Sequence, residues 1–481
     1  MDTIDKKQID AEIRAALPFE DRWHNRFHLE MPFGLINDPN GLVCKDGIKH
    51  IFFQWNPLGC EHKHKSWAHT TTRDFVHYTA PELAMWPSDA HDKDGCYSGC
   101  GLVEDGQVRV LYTCNAKDEN GVRTPAQRFG TLRDDGIIEK QEIILPTNPP
   151  GYTGHYRDPY VFCRDGVRYL VLGAQREDET GTVLVYQDEG EGHWTSRGEI
   201  QTAYRDFGYM WECPNLLRFG DMDVLLFCPQ GLPAEEYQYQ NRYQSGYLAG
   251  HLSMGNMTFA HGSFQELDKG FDFYAPQVFT CDGRAILFGW IGMPDEEAAY
   301  PTKEKGWMHS LTMPRELTLR DGKIFSEPAR ELRALRKEET LQELAQQDCK
   351  AVRVPLAATA EVMLDLAFGQ AKEAALTLSY GAEQVRLDYD RAQEVMTIDR
   401  TGMKNGAHGV RRFKLHADQN LKIHLFVDKT IIEAFFADGE ECATLNVFPA
   451  GDAAPELSVT ADAPLEAVRG RVWELSPITF A

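Results

Sequence analysis

The amino-acid sequence predicts an all-β protein, with a five-bladed β-propeller followed by a C-terminal β-sandwich. Three observations lead to this prediction. Five turn signals made of Gly and Asp, each before a short apolar run, recur between residues 46 and 283. A stretch rich in Glu, Arg and Gln then interrupts the pattern after residue 328. Short alternating apolar segments return beyond residue 351.

The beginning of the chain predicts a short amphipathic helix packed on the main body, because its apolar residues fall on one helical face. It lacks the apolar core and cleavage site of a secretion signal. No apolar run approaches the ~20 residues that span a bilayer. Eleven scattered cysteines suit reduced, buried thiols better than a disulfide framework. We therefore expect a cytoplasmic protein.

The five turns define a repeat of roughly 55 to 60 residues, a period typical of propellers. Asp-Gly between apolar runs indicates a hairpin, because both central residues of a type I′ turn need positive φ. Units of this length cannot bury their own faces, and a closed ring of them removes most exposed edges. The turns are Asp46-Gly47, Asp105-Gly106, Asp165-Gly166, Gly220-Asp221 and Asp282-Gly283.

A polar residue precedes each turn by seven to nine positions. If the hairpins are equivalent, these five residues end the same strand of successive blades and converge on one axis. Three of them are acidic and are expected to share one pocket. The five residues are Asp38, Ser98, Asp158, Glu212 and Tyr274.

The propeller, including the N-terminal helix, is predicted over residues 1–333. Spaced leucines among polar residues predict a helical linker over residues 334–350. Many short alternating segments with polar turns predict an antiparallel sandwich over residues 351–481. Asp428 and Glu433 flank one strand there, outside the repeat, and we interpret them as structural residues in a hairpin turn and an outward-facing position.

Charge excludes some partners. The net charge of −23 argues against a nucleic-acid or membrane partner, because phosphates are repelled without a concentrated basic stripe. A neutral or small anionic substrate remains possible. The sequence leaves the oligomeric state open.

Three convergent carboxylates suit either a metal site or acid–base chemistry. The chain has no calcium-loop pattern, no His-Glu-x-x-His and no glycine-rich phosphate loop, and its loop histidines lack matching ligands. We therefore predict no metal and no cofactor. Glycoside hydrolysis fits, because it pairs an ionised carboxylate with a carboxylic acid of raised pKa. Cys213 lacks an identifiable activating base, so packing is its simpler role.

The surroundings suit a small-molecule sugar. Tryptophans offer flat faces for stacking, although each taken singly is more typical of a core. Asn37, Gln54, Ser98 and Arg157 could bond hydroxyl groups. The tryptophans considered are Trp55, Trp67, Trp86, Trp211 and Trp290.

Six motifs occur in a characteristic order. They are Phe33-Gly34-Leu35-Ile36-Asn37-Asp38-Pro39-Asn40-Gly41, Phe53-Gln54-Trp55-Asn56-Pro57, Trp67-Ala68-His69, Tyr97-Ser98-Gly99, Tyr156-Arg157-Asp158-Pro159 and Trp211-Glu212-Cys213-Pro214. Together they resemble glycoside hydrolase family 32, the invertases and fructan hydrolases, whose members have a five-bladed propeller followed by a β-sandwich.

The resemblance implies that Asp38 is the nucleophile and Glu212 the general acid, whose pKa neighbouring negative charge and burial would raise. Asp158 would bind two fructose hydroxyls, with Arg157 orienting it. Configuration should be retained, with the Asp38 and Glu212 carboxyl groups ~5 to 5.5 Å apart. The further sugar contacts implied or expected are Asn37, Gln54, Trp67, Tyr97, Ser98, Asp272, Tyr274 and Trp290.

One segment departs from the pattern of many invertases, which carry Trp-Gly-Asn shortly before Trp-x-His. This chain has His62-Lys63-His64-Lys65 there. The segment is either an exposed basic loop or a site for the phosphate of sucrose-6-phosphate. Cleavage of fructo-oligosaccharides, fructosyl transfer and non-catalytic fructan binding remain as alternatives.

Overall fold

The computed structural model describes residues 4–19, 21–417 and 419–481. Five antiparallel sheets form a ring, and a β-sandwich follows. The first strand of each sheet contacts the first strand of the next, and the fifth contacts the first. This closed ring confirms the predicted five-bladed propeller and sandwich.

Each blade contains at least four strands. Blade I has β1 (Gly34–Lys45), β2 (Ile48–Asn56), β3 (Ser66–Thr72), β4 (His77–Tyr78) and β5 (Glu82–Met85). Blade II has β6 (Cys96–Glu104), β7 (Gln107–Cys114), β8 (Ala126–Leu132) and β9 (Ile138–Leu145). Blade III has β10 (Tyr152–Arg164), β11 (Val167–Arg176), β12 (Gly181–Gly190) and β13 (His193–Glu199). Blade IV has β14 (Met210–Phe219), β15 (Met222–Gln230), β16 (Gly246–Leu252), β17 (Phe259–His261) and β18 (Gln265–Glu266). Blade V has β19 (Tyr274–Cys281), β20 (Arg284–Ile291), β22 (Ser310–Leu311), β23 (Arg315–Arg320) and β24 (Lys323–Pro328), while the intervening β21 (Trp307–Met308) pairs with β1.

The hairpin between the first two strands follows the predicted turn in every blade. Both turn residues have positive φ at the four Asp-Gly turns, for example 51° and 72° at Asp46 and Gly47. At the turn of blade IV only Gly220 has positive φ, as expected when Gly precedes Asp. These turns fix the register of the strands that carry the site.

A β-bulge interrupts the first strand of every blade at the same place. The three acidic residues lie at these bulges but not at equivalent positions, so that expectation is wrong in detail. Asp38 is the second bulged residue of its strand, Asp158 is the first of its own, and Glu212 immediately precedes its bulge. The offset matters because neighbouring residues of a strand point to opposite faces, and a bulge locally re-aims them.

The N-terminal helix is confirmed as α1 (Lys6–Ala16), capped by the Asp5 side chain. Ile9 and Ile13 are buried against the propeller, and Lys6 donates a 2.8 Å hydrogen bond to Glu82 at the start of β5. In the part of the chain that the structure describes, no helix is long and apolar enough to cross a membrane.

The predicted helical linker at 334–350 is wrong beyond residue 340. Two 3₁₀ helices, Arg330–Leu335 and Glu338–Thr340, are followed by the long strand β25 (Gln342–Pro355). That strand pairs antiparallel with β34 (Glu456–Glu474) along nearly its whole length. Strand pairing that is distant in sequence therefore overrides the helix-like spacing of the leucines.

The sandwich buries an extensive apolar core between strands that alternate buried and exposed residues. The long β34 pairs with β27 (Glu373–Tyr380) through its first half and with β26 (Ala360–Ala367) through its second half. The final strand, β35 (Thr479–Phe480), returns to the propeller and pairs with β4. The remaining strands are β26 (Ala360–Ala367), β27 (Glu373–Tyr380), β28 (Glu383–Asp390), β29 (Val395–Asp399), β30 (Val410–Lys414), β31 (Asn420–Val427), β32 (Ile431–Phe436) and β33 (Glu441–Asn446), with a 3₁₀ turn at Ala437–Gly439 before β33 and two more, Glu297–Ala299 and Pro301–Lys305, in blade V.

Cys44 and Cys281 form a disulfide, whereas nine other described cysteines are free thiols. The expectation that all cysteines are reduced is therefore wrong for this pair. The two residues are 237 positions apart and become neighbours only where β19 meets β1 to close the ring. Their spacing in the sequence carries no sign of this proximity.

Candidate active site

The bulges of all five first strands meet at one narrow cavity in the centre of the ring. Of the five polar residues that the repeat was expected to bring together, Ser98 and Asp158 line this cavity. Asp38 bonds to Ser98, and Tyr274 bonds to Glu212. Each blade contributes at least one lining residue, including Pro39, Ser98, Asp158, Cys213 and Ala275.

Asp38 is held by two polar neighbours. The Ser98 hydroxyl donates to its Oδ2 at 2.5 Å, and Asn37 Nδ2 donates to its Oδ1 at 3.0 Å. Gln54 joins these two neighbours, because its Nε2 donates to Ser98 at 2.8 Å and its Oε1 accepts from Asn37 at 2.5 Å. The carboxylate is thereby fixed in orientation and left partly accessible.

Asp158 lies deeper, with 6% of its surface exposed, and its backbone has φ of 65°. Its Oδ2 accepts from the Cys213 backbone N–H at 3.0 Å. Burial raises the pKa of Asp158 to about 7, and the negative charges of Glu212 and Asp38 act in the same direction against the opposing charge of Arg157.

Glu212 accepts four hydrogen bonds. Arg157 donates to Oε1 from Nε and Nη2 at 2.9 and 2.6 Å. Tyr274 and Gln230 donate to Oε2 at 2.6 and 2.7 Å. Burial acts to raise the pKa of Glu212, but the charge of Arg157 and the hydrogen bonds from Tyr274 and Arg157 leave that pKa below its ordinary value.

The expectation that Glu212 has a raised pKa is therefore wrong for this arrangement, and the raised pKa belongs to Asp158. The reason is geometric, since the Arg157 guanidinium lies against Glu212 and not against its sequence neighbour Asp158.

The Cys213 thiol lies 3.7 Å from Asp158 Oδ2 and 3.9 Å from Asp38 Oδ2. Its hydrogen bond with Cys228, its burial and the nearby carboxylates raise its pKa well above the ordinary value. The thiol thus stays protonated, which agrees with a packing role and not with a nucleophile.

Two predicted aromatic contacts are corrected. Trp67 and Trp290 are 0% and 1% exposed, so neither has an open face for a sugar. Trp67 supports the pocket from behind by donating to the Tyr97 carbonyl at 3.2 Å. Trp290 packs edge-on against Tyr274, with ring centres 6.2 Å apart. Both tryptophans lie near the site, as expected, but they are buried behind the residues that line it.

Asp272 is also corrected as a sugar contact. It is 2% exposed, and its Oδ1 accepts from Tyr300 at 2.8 Å. Its Oδ2 accepts from Arg400 and from the Asn446 backbone, both in the sandwich. The Asp272 side chain therefore joins the propeller to the sandwich. Its position two residues before Tyr274 in the sequence gave no indication of this contact.

The basic segment divides into two halves. Lys63 and His64 are exposed, and Lys63 pairs with Glu61 at 2.8 Å. Lys65 instead turns into the site and donates to Gln54 Oε1 at 2.9 Å. The His62 ring stands edge-on to Trp290, with ring centres 5.6 Å apart.

Several residues near the carboxylates were not found from sequence. Gln230, at the end of β15, contacts Glu212, and Thr113, at the end of β7, accepts from the Asp158 N–H at 3.0 Å. His155 accepts from Arg157, and Arg123 contacts Tyr97. Of these residues, only Gln230 and Thr113 could have been found from the sequence, because each follows an apolar run of the repeat.

Known proteins match this chain over both domains. Residues 28–328 match the N-terminal domain of glycosyl hydrolases family 32, and residues 331–474 match the C-terminal domain of that family. Sucrose-6-phosphate hydrolase of Bacillus subtilis is 36% identical over 450 residues, covering 92% of each chain. The enzyme of the same name from Salmonella typhimurium is 38% identical over 436 residues, covering 89% of this chain and 90% of that protein.

Solved structures agree. The sucrose-6-phosphate hydrolase from Lactobacillus gasseri has a TM-score of 0.88 at 30% identity, covering 98% of this chain and 97% of that one. A β-fructofuranosidase from Bombyx mori has a TM-score of 0.86 at 25% identity, covering 99% of both. Since the two matched regions coincide with the propeller and the sandwich and span most of the sequence, this chain belongs to glycoside hydrolase family 32.

Proposed function

We propose that this protein is a retaining β-fructofuranosidase that releases fructose from sucrose-6-phosphate in preference to sucrose. The observation that carries the proposal is the clustering of three carboxylates. Asp38 and Asp158 both contact the Cys213 thiol, and the charges of Glu212 and Asp38 both act on Asp158. Lys65 is close enough for its charge to act on Glu212. The names of the related hydrolases support the choice of substrate. A cytoplasmic setting belongs to the same proposal, because sugars imported by phosphotransferase systems arrive phosphorylated.

In this proposal Asp38 attacks the anomeric carbon of the fructosyl unit and forms a covalent intermediate. Ser98 and Asn37 orient its two oxygens. Glu212 protonates the departing glycosidic oxygen and then takes a proton from the water that releases fructose. Asp158 accepts hydrogen bonds from fructose hydroxyls near the developing positive charge.

The proton for the leaving group must reach Glu212. Before substrate enters, Arg157 favours the carboxylate form of Glu212, while the raised pKa of Asp158 favours a proton there. Sugar hydroxyls that donate to Asp158 stabilise its carboxylate form, so the single proton of the site is displaced toward Glu212. Substrate binding and activation of the acid are thereby coupled.

The first test compares purified enzyme on sucrose and on sucrose-6-phosphate, with fructose release followed against glucose or glucose-6-phosphate. A strong preference for the phosphate ester supports the proposal, and equal rates reduce it to a general β-fructofuranosidase. Glu212→Gln should abolish turnover and retain sugar binding, since it keeps the shape of the side chain. Unaltered turnover would remove Glu212 from the acid role.

Retention is tested by running the reaction in aqueous methanol. A covalent fructosyl intermediate on Asp38 yields methyl β-fructofuranoside, whereas direct displacement by methanol yields the α anomer. The product anomer is identified by NMR. The α anomer would contradict the nucleophile assignment.

The phosphate preference is tested by a matched pair of lysines. Lys65→Ala should lower the ratio of kcat/KM for sucrose-6-phosphate over sucrose by about tenfold or more, because a charge-assisted hydrogen bond is lost. Lys63→Ala is the control, since Lys63 is exposed and paired with Glu61. Equal effects of the two changes would contradict a specific role for Lys65.

A further inference from the structure

Two cations approach the ring of Tyr97 in the candidate site. Lys65 Nζ is 5.8 Å from the ring centre, and Arg123 Cζ is 5.6 Å from it. Arg123 also donates from Nη1 to the Tyr97 hydroxyl at 3.0 Å. Lys65 comes from the segment before β3 and Arg123 from the loop between β7 and β8, so blades I and II each provide one cation.

Among the described residues, the two cations bond to neutral groups and not to carboxylates. Within the described ranges 4–19, 21–417 and 419–481, no carboxylate lies in ion-pair contact with Lys65 or Arg123. Their hydrogen-bond partners are the neutral groups of Gln54, Asn115 and Tyr97 and the His62 ring. In a chain of net charge −23, two half-buried cations without carboxylate partners beside a pocket indicate an anionic ligand.

The two cations lie close to groups that the proposed function assigns to protonation of the leaving oxygen. Lys65 is close enough to Glu212 to help lower its pKa, and Glu212 is the group proposed to protonate the leaving oxygen. Arg123 helps to lower the pKa of His155, whose Nδ1 lies 2.9 Å from Arg157 Nη1. Lys65 is thus a neighbour of Glu212, and Arg123 is a neighbour of His155, which contacts Arg157.

The Arg123 loop is held in place before any ligand binds. Arg123 donates to Asn115 Oδ1 at 2.9 Å, and its backbone forms a β-bridge with Lys117. Gly154 at the start of β10 packs against it so closely that an added Cβ would lie 2.8 Å from Arg123 Cβ. A guanidinium fixed in this way loses little freedom on binding an anion.

We propose that Arg123 is a specificity-determining residue that, together with Lys65, binds the phosphate ester on the leaving group, with the Tyr97 ring as the floor between them. This inference rests on the proposed function, and it names the residues that make the substrate class a phosphorylated sugar. Arg123 supplies a planar, two-pronged donor and Lys65 a point charge, a combination suited to a phosphate dianion.

The test compares Arg123→Gln with Arg133→Gln, whose arginine is exposed and paired with Asp135. Arg123→Gln should lower the kcat/KM ratio of sucrose-6-phosphate over sucrose by about 10- to 100-fold and leave kcat/KM for sucrose within about threefold. Arg133→Gln should change neither quantity. Equal losses on both substrates would overturn the proposal, because they would indicate a merely structural Arg123.

A binding measurement tests the proposal independently if Arg123→Gln folds poorly. Glucose-6-phosphate and glucose are titrated into the wild-type protein and into Tyr97→Phe, which removes only the hydroxyl that orients Arg123. Preferential binding of glucose-6-phosphate that weakens in Tyr97→Phe supports the proposal, and equal binding of the two sugars by the wild type overturns it. Wild-type enzyme inactive on both sucroses would refute the proposed function, whereas a phosphate preference that survives Arg123→Gln would refute this inference alone.

Discussion

Arg157 donates two hydrogen bonds to one oxygen of Glu212, and this contact places the negative charge of the site. Asp158, the next residue in the chain, is more deeply buried and lies near two other carboxylates. Two carboxyl groups with opposite pKa shifts are the arrangement that acid–base catalysis uses. The position of the Arg157 guanidinium decides which of the two carboxyl groups has the lowered pKa.

At the residue scale, we expect kcat/KM to fall as pH rises through about 7. The group with the raised pKa is Asp158, at about 7, so the site holds its proton below that pH and loses it above. Arg157→Gln removes a charge that lowers the pKa of both carboxyl groups, and the alkaline limb should move up by about one pH unit or more.

The measurement is the pH profile of kcat/KM for wild type, Arg157→Gln and Arg197→Gln. Arg197 is exposed on β13, the strand of blade III that lies farthest from β10 in the sheet, so its profile should match the wild type. An alkaline limb that stays in place in Arg157→Gln would mean that these carboxyl groups do not set it.

At the element scale, the first strands of neighbouring blades must pack closely to bring their bulges together. Gly101 in β6 packs tightly against β1, because a Cβ built there would lie 2.3 Å from the Gly41 carbonyl oxygen. The φ of Gly101 is not in the left-handed region, so its role is to leave space. Asp38 and Ser98, which bond to each other, come from these two strands.

We therefore expect Gly101→Ala to destabilise the protein by about 1 to 3 kcal/mol through overpacking, and to lower activity by separating Ser98 from Asp38. Urea unfolding and the rate on sucrose measure the two effects. Gly262→Ala is the matched control, since Gly262 is exposed, has no neighbour within 4 Å of an added Cβ and lacks positive φ. A loss in Gly262→Ala equal to that in Gly101→Ala would contradict the steric explanation.

At the scale of the whole molecule, a buried polar network joins the propeller to the sandwich. His28 lies between Asp428 and Glu433, at 2.9 and 3.0 Å, and Glu433 also accepts from Arg315. The interpretation of Asp428 and Glu433 as structural residues is supported, whereas the outward-facing position expected for Glu433 is wrong, because it is 0% exposed. Its carboxylate faces the propeller, where Arg315 and His28 compensate its charge.

We expect this network to make stability depend on pH. Burial lowers the pKa of His28, but hydrogen bonds and charges of Asp428 and Glu433 outweigh it and raise the pKa to about 9 from an ordinary 6.5. A raised pKa in the folded state contributes stability fully below pH 6.5, and the contribution is lost as pH rises to about 9. The size is up to about 3 kcal/mol.

The urea midpoint should fall between pH 6.5 and 9 in the wild type and should fall less in His28→Gln. His251→Gln is the control, because His251 is exposed and its ring lies near a backbone carbonyl. A wild-type midpoint with the same pH dependence as His28→Gln would show that His28 does not link the domains in this way.

The propeller, the sandwich, the N-terminal helix and the strands that carry the three carboxylates were all predictable from the amino-acid sequence. These features depend on local signals: Asp-Gly turns, alternation of apolar residues and a repeat that fixes which strand ends meet. Such signals involve residues that are close together in the sequence, so they can be recognised without knowing how the rest of the chain folds.

Three features became visible only in the folded protein: which carboxyl group has the raised pKa, which tryptophans are buried, and which basic side chains lie at the site. Arg157, Trp67, Lys65 and Asp272 each contact a residue of another blade or of the sandwich: Glu212, Tyr97, Tyr97 and Arg400, respectively. Burial and charge depend on neighbours within a few ångströms in space, whatever their separation along the chain. Strand β25 and the Cys44–Cys281 disulfide were not predicted for the same reason, because their partners are distant in sequence.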